Sequence, residues 1–478
     1  MALTDELTFT PAAELRDRMA TGDLSPVELL DACLERIAAV DGRVNAFTQL
    51  LADEAREAAR DSEARIRRGQ ARPLEGLPIP IKDVALVSGT ALTLGSRMAM
   101  EFPIMVDSEV VARLRGAGAV IPGKTHMPEF GSTMASESAR FGATRNPWDL
   151  ERSPGGSSSG AAAAVAAGMV PAAHGADGGG SLRIPAASCG LFGVKPTRAR
   201  ISQEPLGDLT ETNNFGFLTR TVLDNALLID SVEGFAFGDP YWSSPLRRPL
   251  VEEVGADPGT LRIGWTVRPP NGVEVDAEWA AAVEDVADLC ARLGHRVEHH
   301  DLDWADEEVQ ELFLDIWSAQ FSFAVEQLQR LGMDPAALEP HNRALWELGR
   351  ERSAVDYLMA RGKMHGFLRR VLESWNTFDI ILTPSMAQPQ PKIGWLFEDA
   401  DRDPLSPLFP RSSEVAPFCA LFNFTGQPAA SLPLAWAGDG MPIGVQAVAR
   451  MGDEPTLFRL SAQLEQARPW AHRRPPLA

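Results

Sequence analysis

Residues 151–197 read ERSPGGSSSGAAAAVAAGMVPAAHGADGGGSLRIPAASCGLFGVKPT. Two serine–glycine clusters, Gly155-Gly156-Ser157-Ser158-Ser159-Gly160 and Gly178-Gly179-Gly180-Ser181, flank an alanine-rich segment. Side chains this small let backbones approach closely, and glycine alone reaches positive φ at no steric cost. The segment between the clusters predicts a tight internal helix followed by a short strand. Clusters of this kind point backbone N–H groups at a ligand. The rest of the chain is expected to be scaffold around that stretch.

The chain has 478 residues, and its 45 basic against 65 acidic residues give a net charge of −20. Such a surface repels phosphate backbones, which argues against a nucleic-acid partner. Cys33, Cys189, Cys290 and Cys419 are isolated in sequence, so neither a disulfide framework nor a zinc knuckle is expected. The N-terminal MALTDELTFT lacks the basic and apolar regions of a signal peptide. The most apolar run, 161–176, is mainly alanine and is broken by Gly168, Pro171 and His174, short of a membrane span. A cytoplasmic protein without membrane contact is expected.

Helical and strand patterns alternate along the chain. Thr10-Pro11 and Ser25-Pro26-Val27-Glu28 read as helix starts, the second a capping box. Residues 9–70 read as helical. Leu77-Pro78-Ile79-Pro80-Ile81-Lys82-Asp83 forbids helix and predicts an extended segment. Strands are expected at 119–121, 170–173, 261–265, 295–300, 379–384, 430–436 and 443–448, and long helices at 306–331 and 354–375. Residues 385–415, rich in proline, predict a long ordered loop. This alternation implies an α/β fold with a large parallel or mixed sheet. No repeat or long linker divides the chain, so one domain is expected.

Two short patterns mislead. Gly118–Thr125 matches the phosphate-loop pattern G-x-x-x-x-G-K-[ST], yet a helix precedes it and Pro122 removes an N–H that a phosphate would need. Gly156–Gly160 matches G-x-S-x-G, but a proline-containing loop precedes it where a nucleophile elbow needs a strand. His295, His299, His300 and Asp301 read as a solvated edge strand, so no metal site is expected.

Lysine is scarce: Lys82, Lys124, Lys195, Lys363 and Lys392 are the only five, and every other basic residue is arginine. Lysine, unlike arginine, can lose its proton when buried. Lys82 follows an apolar extended run, and two readings stand: a catalytic amine, or a buried ion pair with Asp83 or another acid.

These residues resemble the amidase signature family of serine hydrolases. The matching segments are Gly76–Asp83, Gly123–Phe130, Arg145–Asp149, residues 153–197, Thr425–Ala429 and Met441–Gln446. The resemblance implies one amidase domain over 1–478, with a mixed sheet flanked by helices on both faces. Within it lie a helical region at 1–70, a signature core at 71–200, a variable substrate-pocket region at 201–420, and core strands and a helix at 421–470.

The resemblance also implies a Ser–cis-Ser–Lys triad. Ser181 is the nucleophile, Ser157 the bridging serine after a cis peptide bond, and Lys82 the base. The N–H groups of Gly178, Gly179, Gly180 and Ser181 form the oxyanion hole, braced by Ser158, Asp177 and Arg183. The implied activity is hydrolysis of carboxylic amide C–N bonds through an acyl-enzyme, with no cofactor and no metal. The implied partners are a small-molecule amide and, as an option, a second copy in a homodimer.

Three departures from the family pattern stand out. Ser159 replaces a usual glycine, Gly178 replaces a larger residue, and Ile184 sits where amidotransferase subunits have glutamine. The pattern around His174–Ala186 is similar to the branch that includes 6-aminohexanoate cyclic-dimer hydrolase and amidases of broad scope. The acyl pocket is expected from the 200–220 segment, the helix carrying Trp317 and Phe321, and the 385–425 loop. Oligoamides, aryl amides, esters and carbamates remain open as substrates. Two other classes stay open: an α/β-hydrolase-type esterase using Ser158 and a histidine, and an amidotransferase subunit active only in a complex.

Overall fold

The computed structural model describes residues 2–205, 212–306 and 308–477. A small sheet joins Phe47–Leu50 (β1), Ile81–Lys82 (β2) and Gly123–Thr125 (β3), with β3 between the other two. Glu137–Ser138 (β4) and Gly142–Ala143 (β5) form a short hairpin. The large sheet is mixed and has eight strands among the described residues. They are Ala172–Asp177 (β6), Phe192–Lys195 (β7), Asn214–Thr219 (β8), Arg262–Trp265 (β9), Arg296–His299 (β10), Ile380–Pro384 (β11), Ala429–Trp436 (β12) and Pro442–Ala449 (β13). Their order is β10-β9-β11-β13-β12-β7-β8-β6.

Within the large sheet, parallel pairing is confined to β10-β9-β11, and every other neighbour pair is antiparallel. The strands expected at 430–436 and 443–448 are β12 and β13, which form an antiparallel hairpin whose turn includes Gly440 at φ 86°. Ile380–Pro384 is fully buried, as its unbroken apolar run implies.

Proline sets the two strand shifts. The strand expected at 119–121 is only a bridge: Val120 N donates to Leu77 O and Ile79 N to Val120 O, while Pro78 and Pro80 cannot extend the ladder. Regular pairing starts later, in β3. The strand expected at 170–173 runs instead from Ala172 to Asp177, beginning just after Pro171. The Ser25 capping box is present, with Pro26 opening the helix Pro26–Val44. Pro11, expected inside the first turn, sits at the N-cap of Ala12–Thr21, after a helix over Ala2–Phe9. The 385–415 segment is not wholly loop: it contains a turn of 3-10 helix at Trp395–Phe397 and a helix at Arg411–Val415.

The alanine-rich stretch forms the helix Ser159–Ala166, buried along its whole length and packed on β2, β3 and β6. A Cβ at Gly160 would lie 2.2 Å from Ala46 O and 2.5 Å from His126 N, so no larger residue fits. Small side chains bring this helix onto the sheet margin, which carries Ser157 and Ser158 from its N-terminal end to the end of β2. The helix Arg183–Cys189 follows the second cluster and packs on β7, β12 and β13.

Candidate active site

Lys82 ends β2 with a side chain almost fully buried. Its Nζ lies 2.7 Å from Ser157 Oγ, 3.1 Å from Ser158 Oγ and 3.3 Å from Ala176 O. Burial pushes the Lys82 amine down to about 7, against the opposing pull of the Asp177 charge. The ion-pair reading of Lys82 does not hold. Its neighbour Asp83 pairs with Lys124 and accepts from the Thr93 hydroxyl. Lys124, the lysine of the phosphate-loop match, also donates to Ala91 O at 2.9 Å, so it is part of the core and not of a phosphate cradle.

The peptide bond between Gly156 and Ser157 is cis, as the resemblance implies. Ser157 borders a cavity of about 460 Å³, together with Lys82, Gly178, Gly179 and Ser181. Ser158 does not border it. Its hydroxyl donates to Ala176 O at 3.0 Å and accepts from Ala176 N at 3.3 Å. Ser158 therefore locks the first cluster to β6 and cannot meet a substrate in the cavity, which removes it as an esterase nucleophile. Ser158 N also donates to Ser181 O at 3.2 Å, tying the two clusters together directly.

The second cluster corrects one expectation. Gly180 N–H donates to Asp177 Oδ1 at 2.7 Å, and Gly180 does not border the cavity. It is glycine for packing: φ is 127°, and a Cβ would lie 2.6 Å from Cys419 Cβ and 2.7 Å from Ile184 Cδ1. Gly178 and Gly179 both face the cavity, and a Cβ at either would meet its nearest neighbour at 3.8 Å. Of the four residues expected to supply oxyanion donors, Gly178, Gly179 and Ser181 border the cavity, and Gly180 does not.

Asp177 and Arg183 brace this loop. Both are fully buried, and the guanidinium grips the carboxylate with two bonds of 2.9 Å. Burial alone would push the Asp177 carboxyl up, but Arg183 and Asn423 hold it well below the usual carboxylate range. Sequence reasoning assigned no role to Asn423 or Gln446. Asn423 Nδ2 donates to Asp177 Oδ1 at 2.9 Å, Arg183 Nη2 donates to Asn423 Oδ1 at 2.6 Å, and Arg183 Nη1 donates to Gln446 Oε1 at 2.7 Å. Gln446 had a legible signal, a lone amide inside the apolar strand β13. Asn423, on a five-residue helix, had none.

The histidines of the site region are neutral. His174 is fully buried beside Phe215 and Phe217, and burial together with the Lys82 charge pushes it down to about 3. The His295–Asp301 group is not gathered as a site: His295 faces Gln463, His300 faces Ser374 O, and His299 lies 3.4 Å from Asp301. Among the described residues no three His, Cys, Asp or Glu side chains are placed to hold a metal ion.

The cavity walls include residues of the segments expected, such as Thr212, Trp317 and Leu408, and also residues of segments that were not, such as Phe130, Asn271 and Phe367. Residues 206–211 of the 200–220 segment lie outside the described residues.

The profile of the Amidase family matches residues 28–458, nine-tenths of the chain. The chain belongs to the amidase signature family. The 6-aminohexanoate-cyclic-dimer hydrolase of Paenarthrobacter ureafaciens is 35% identical over 486 residues, covering 98% of this chain and 96% of that one. A structure of 6-aminohexanoate cyclic dimer hydrolase complexed with substrate superposes with a TM-score of 0.93 at 33% identity, covering 98% and 99%. A bacterial aryl acylamidase of the amidase signature family superposes at 0.88 with 25% identity, covering 97% of each chain. The amidase is a serine amidohydrolase of α/β fold acting on amide C–N bonds of small substrates. No helix among its described residues is long and apolar enough to cross a membrane.

Proposed function

We propose that the amidase cleaves its substrate through a Ser181–Ser157–Lys82 relay and an acyl-enzyme. The observation that carries this reading is the 2.7 Å contact between a Lys82 amine held near pH 7 and Ser157, at the wall of the cavity that Ser181 also lines. A serine hydroxyl is a weak nucleophile until a base takes its proton. Neutral Lys82 accepts a proton from Ser157 Oγ while Ser157 takes one from Ser181 Oγ. Ser181 Oγ then bonds to the amide carbon, and the carbonyl oxygen becomes an oxyanion facing the N–H groups of Gly178, Gly179 and Ser181. The proton returns through Ser157 to the amine nitrogen as the C–N bond breaks. Water, activated by the same relay, releases the carboxylic acid from Ser181.

The apolar, aromatic cavity supports amides with bulky uncharged acyl groups. Ile184 at its wall supports a substrate other than glutamine. The four cysteines are all free and buried, which supports a reducing, cytoplasmic setting. The test is covalent labelling with a fluorophosphonate followed by peptide mapping, beside a Lys82→Ala variant. Label on Ser181 and loss of turnover in the variant are expected, and label on Ser158 overturns the relay. Hydrolysis of simple amides by the isolated chain separates this reading from a subunit active only in a complex.

A further inference from the structure

One face of the helix Val309–Arg330 forms a long wall of the cavity. Val309, Gln310, Phe313, Trp317, Gln320 and Phe321 all line it, at spacings that keep them on one stripe. The stripe passes the reacting centre. Phe321 packs edge-on against Phe130 at 5.3 Å, and the next residue, Gly131, comes within a side-chain contact of Ser157. Phe313 packs against Phe424 at 5.4 Å, on the helix beside Gly179.

Gln320 is out of place in this wall. Its Nε2 is shut off from solvent and has no hydrogen-bond partner among the described residues. The amide nitrogens of glutamines buried elsewhere are all paired: Gln390 Nε2 donates to Pro442 O at 2.9 Å, Gln446 Nε2 to Thr383 Oγ1 at 2.9 Å and Gln427 Nε2 to Ala449 O at 3.2 Å. A leucine or methionine at this position would fill the same space and leave no unpaired buried donor. A half-turn of the terminal amide exchanges the shielded Nε2 for Oε1, so Gln320 can offer the cavity either a donor or an acceptor, and a second amide, which carries one of each, can pair with whichever is offered.

Charge points the same way. Lys82 is the only cation among the described residues lining the cavity. The undescribed residues 206–211 and 307 are Leu, Gly, Asp, Leu, Thr, Glu and Glu, which add none. With Lys82 neutral, a substrate carboxylate in the cavity would be desolvated without a counter-charge.

We propose that Gln320 is a specificity-determining residue that reads a second, uncharged amide group of the substrate, and that the cavity rejects substrates carrying a carboxylate there. This rests on the amidohydrolase reading above. The test compares three 4-nitroanilides of equal chain length at pH 8: those of hexanoic acid, of adipic acid monoamide, and of adipic acid with its free carboxylate. Wild-type kcat/KM is expected to rank monoamide first, hexanoyl second and free acid at least about 100-fold below hexanoyl. Gln320→Leu is expected to lower kcat/KM for the monoamide about tenfold, through KM, and to leave hexanoyl within about twofold. Gln320→Met serves if the leucine variant misfolds, and the wild-type ranking alone decides if both do. Equal effects on both neutral substrates, no effect on either, or a free acid hydrolysed within about tenfold of hexanoyl overturns the inference. A Lys82→Ala enzyme that still turns over hexanoyl nitroanilide overturns the relay instead and leaves Gln320 to be judged separately.

Discussion

Asp83, next in sequence to Lys82, gives its charge to Lys124 and leaves the Lys82 amine to two serine hydroxyls and a carbonyl. Without a carboxylate in direct contact, burial wins and the amine falls to about 7. In the proposed relay Lys82 must be neutral to accept a proton, so activity would depend on the deprotonated fraction. kcat/KM is expected to rise tenfold per pH unit below about 7 and to level above it. Lys82→Ala is expected to lower kcat on the order of 10⁴-fold. Lys82→Arg should be as inactive, because a guanidinium does not give up its proton. A pH–rate profile on an anilide checks all three.

The three glycines before Ser181 are expected to part company on mutation. At Gly180 a Cβ would collide with Cys419 and Ile184 at φ 127°, so Gly180→Ala should cost about 2–4 kcal/mol in stability. At Gly178 and Gly179 a Cβ finds its nearest atom at 3.8 Å, so alanine there should leave stability within about 1 kcal/mol. Any loss in those two variants should appear in kcat, through displaced oxyanion donors. Urea unfolding beside initial rates separates the two outcomes.

How much of this was legible in sequence depends on what kind of information each feature needed. The helix Ser159–Ala166, the hairpin β12–β13 and the extended Lys82 segment follow from local composition, because alanine, glycine and proline act on the backbone where they stand. The pairing of Asp83 with Lys124, which frees Lys82, spans segments that meet only through the β2–β3 ladder. The engagement of Gly180 by Asp177 was hidden for another reason. Three adjacent glycines look alike in sequence, while the N–H of Gly180 is bonded to Asp177 and Gly178 and Gly179 border the cavity. Asn423 and Gln320 were silent too, since an amide in a helix reads as surface until burial is known.

Asp177 and Arg183 form a buried pair behind the 178–181 loop, and breaking such a pair leaves a lone charge. Arg183→Met is expected to destabilise by about 3–5 kcal/mol, and Asn423→Ala by about 1–3 kcal/mol. The folded carboxyl of Asp177 sits below its ordinary 3.8, so its contribution is complete above that value and is lost as pH falls beneath it. Arg183→Met should therefore flatten the acid side of the stability curve. Urea midpoints at several pH values between 3 and 7 measure both effects.

Lys82 carries the opposite liability. Its amine titrates near 7 in the folded chain against an ordinary value of 10.5. Between those values the unfolded chain holds a proton that the folded chain lacks, so stability rises with pH across that window. Below about pH 7 both states are protonated and the full cost of a buried ammonium remains. Lys82→Met keeps the length of the side chain without the charge. It is expected to be inactive yet more stable than wild type at pH 7, with the gap, at most about 5 kcal/mol, closing as pH climbs toward 10.5. Slopes from other groups, the buried Lys195 included, are common to both proteins and cancel in the difference. A gap that does not change with pH would mean that Lys82 is not held neutral by burial, and the activity profile would then need another titrating group.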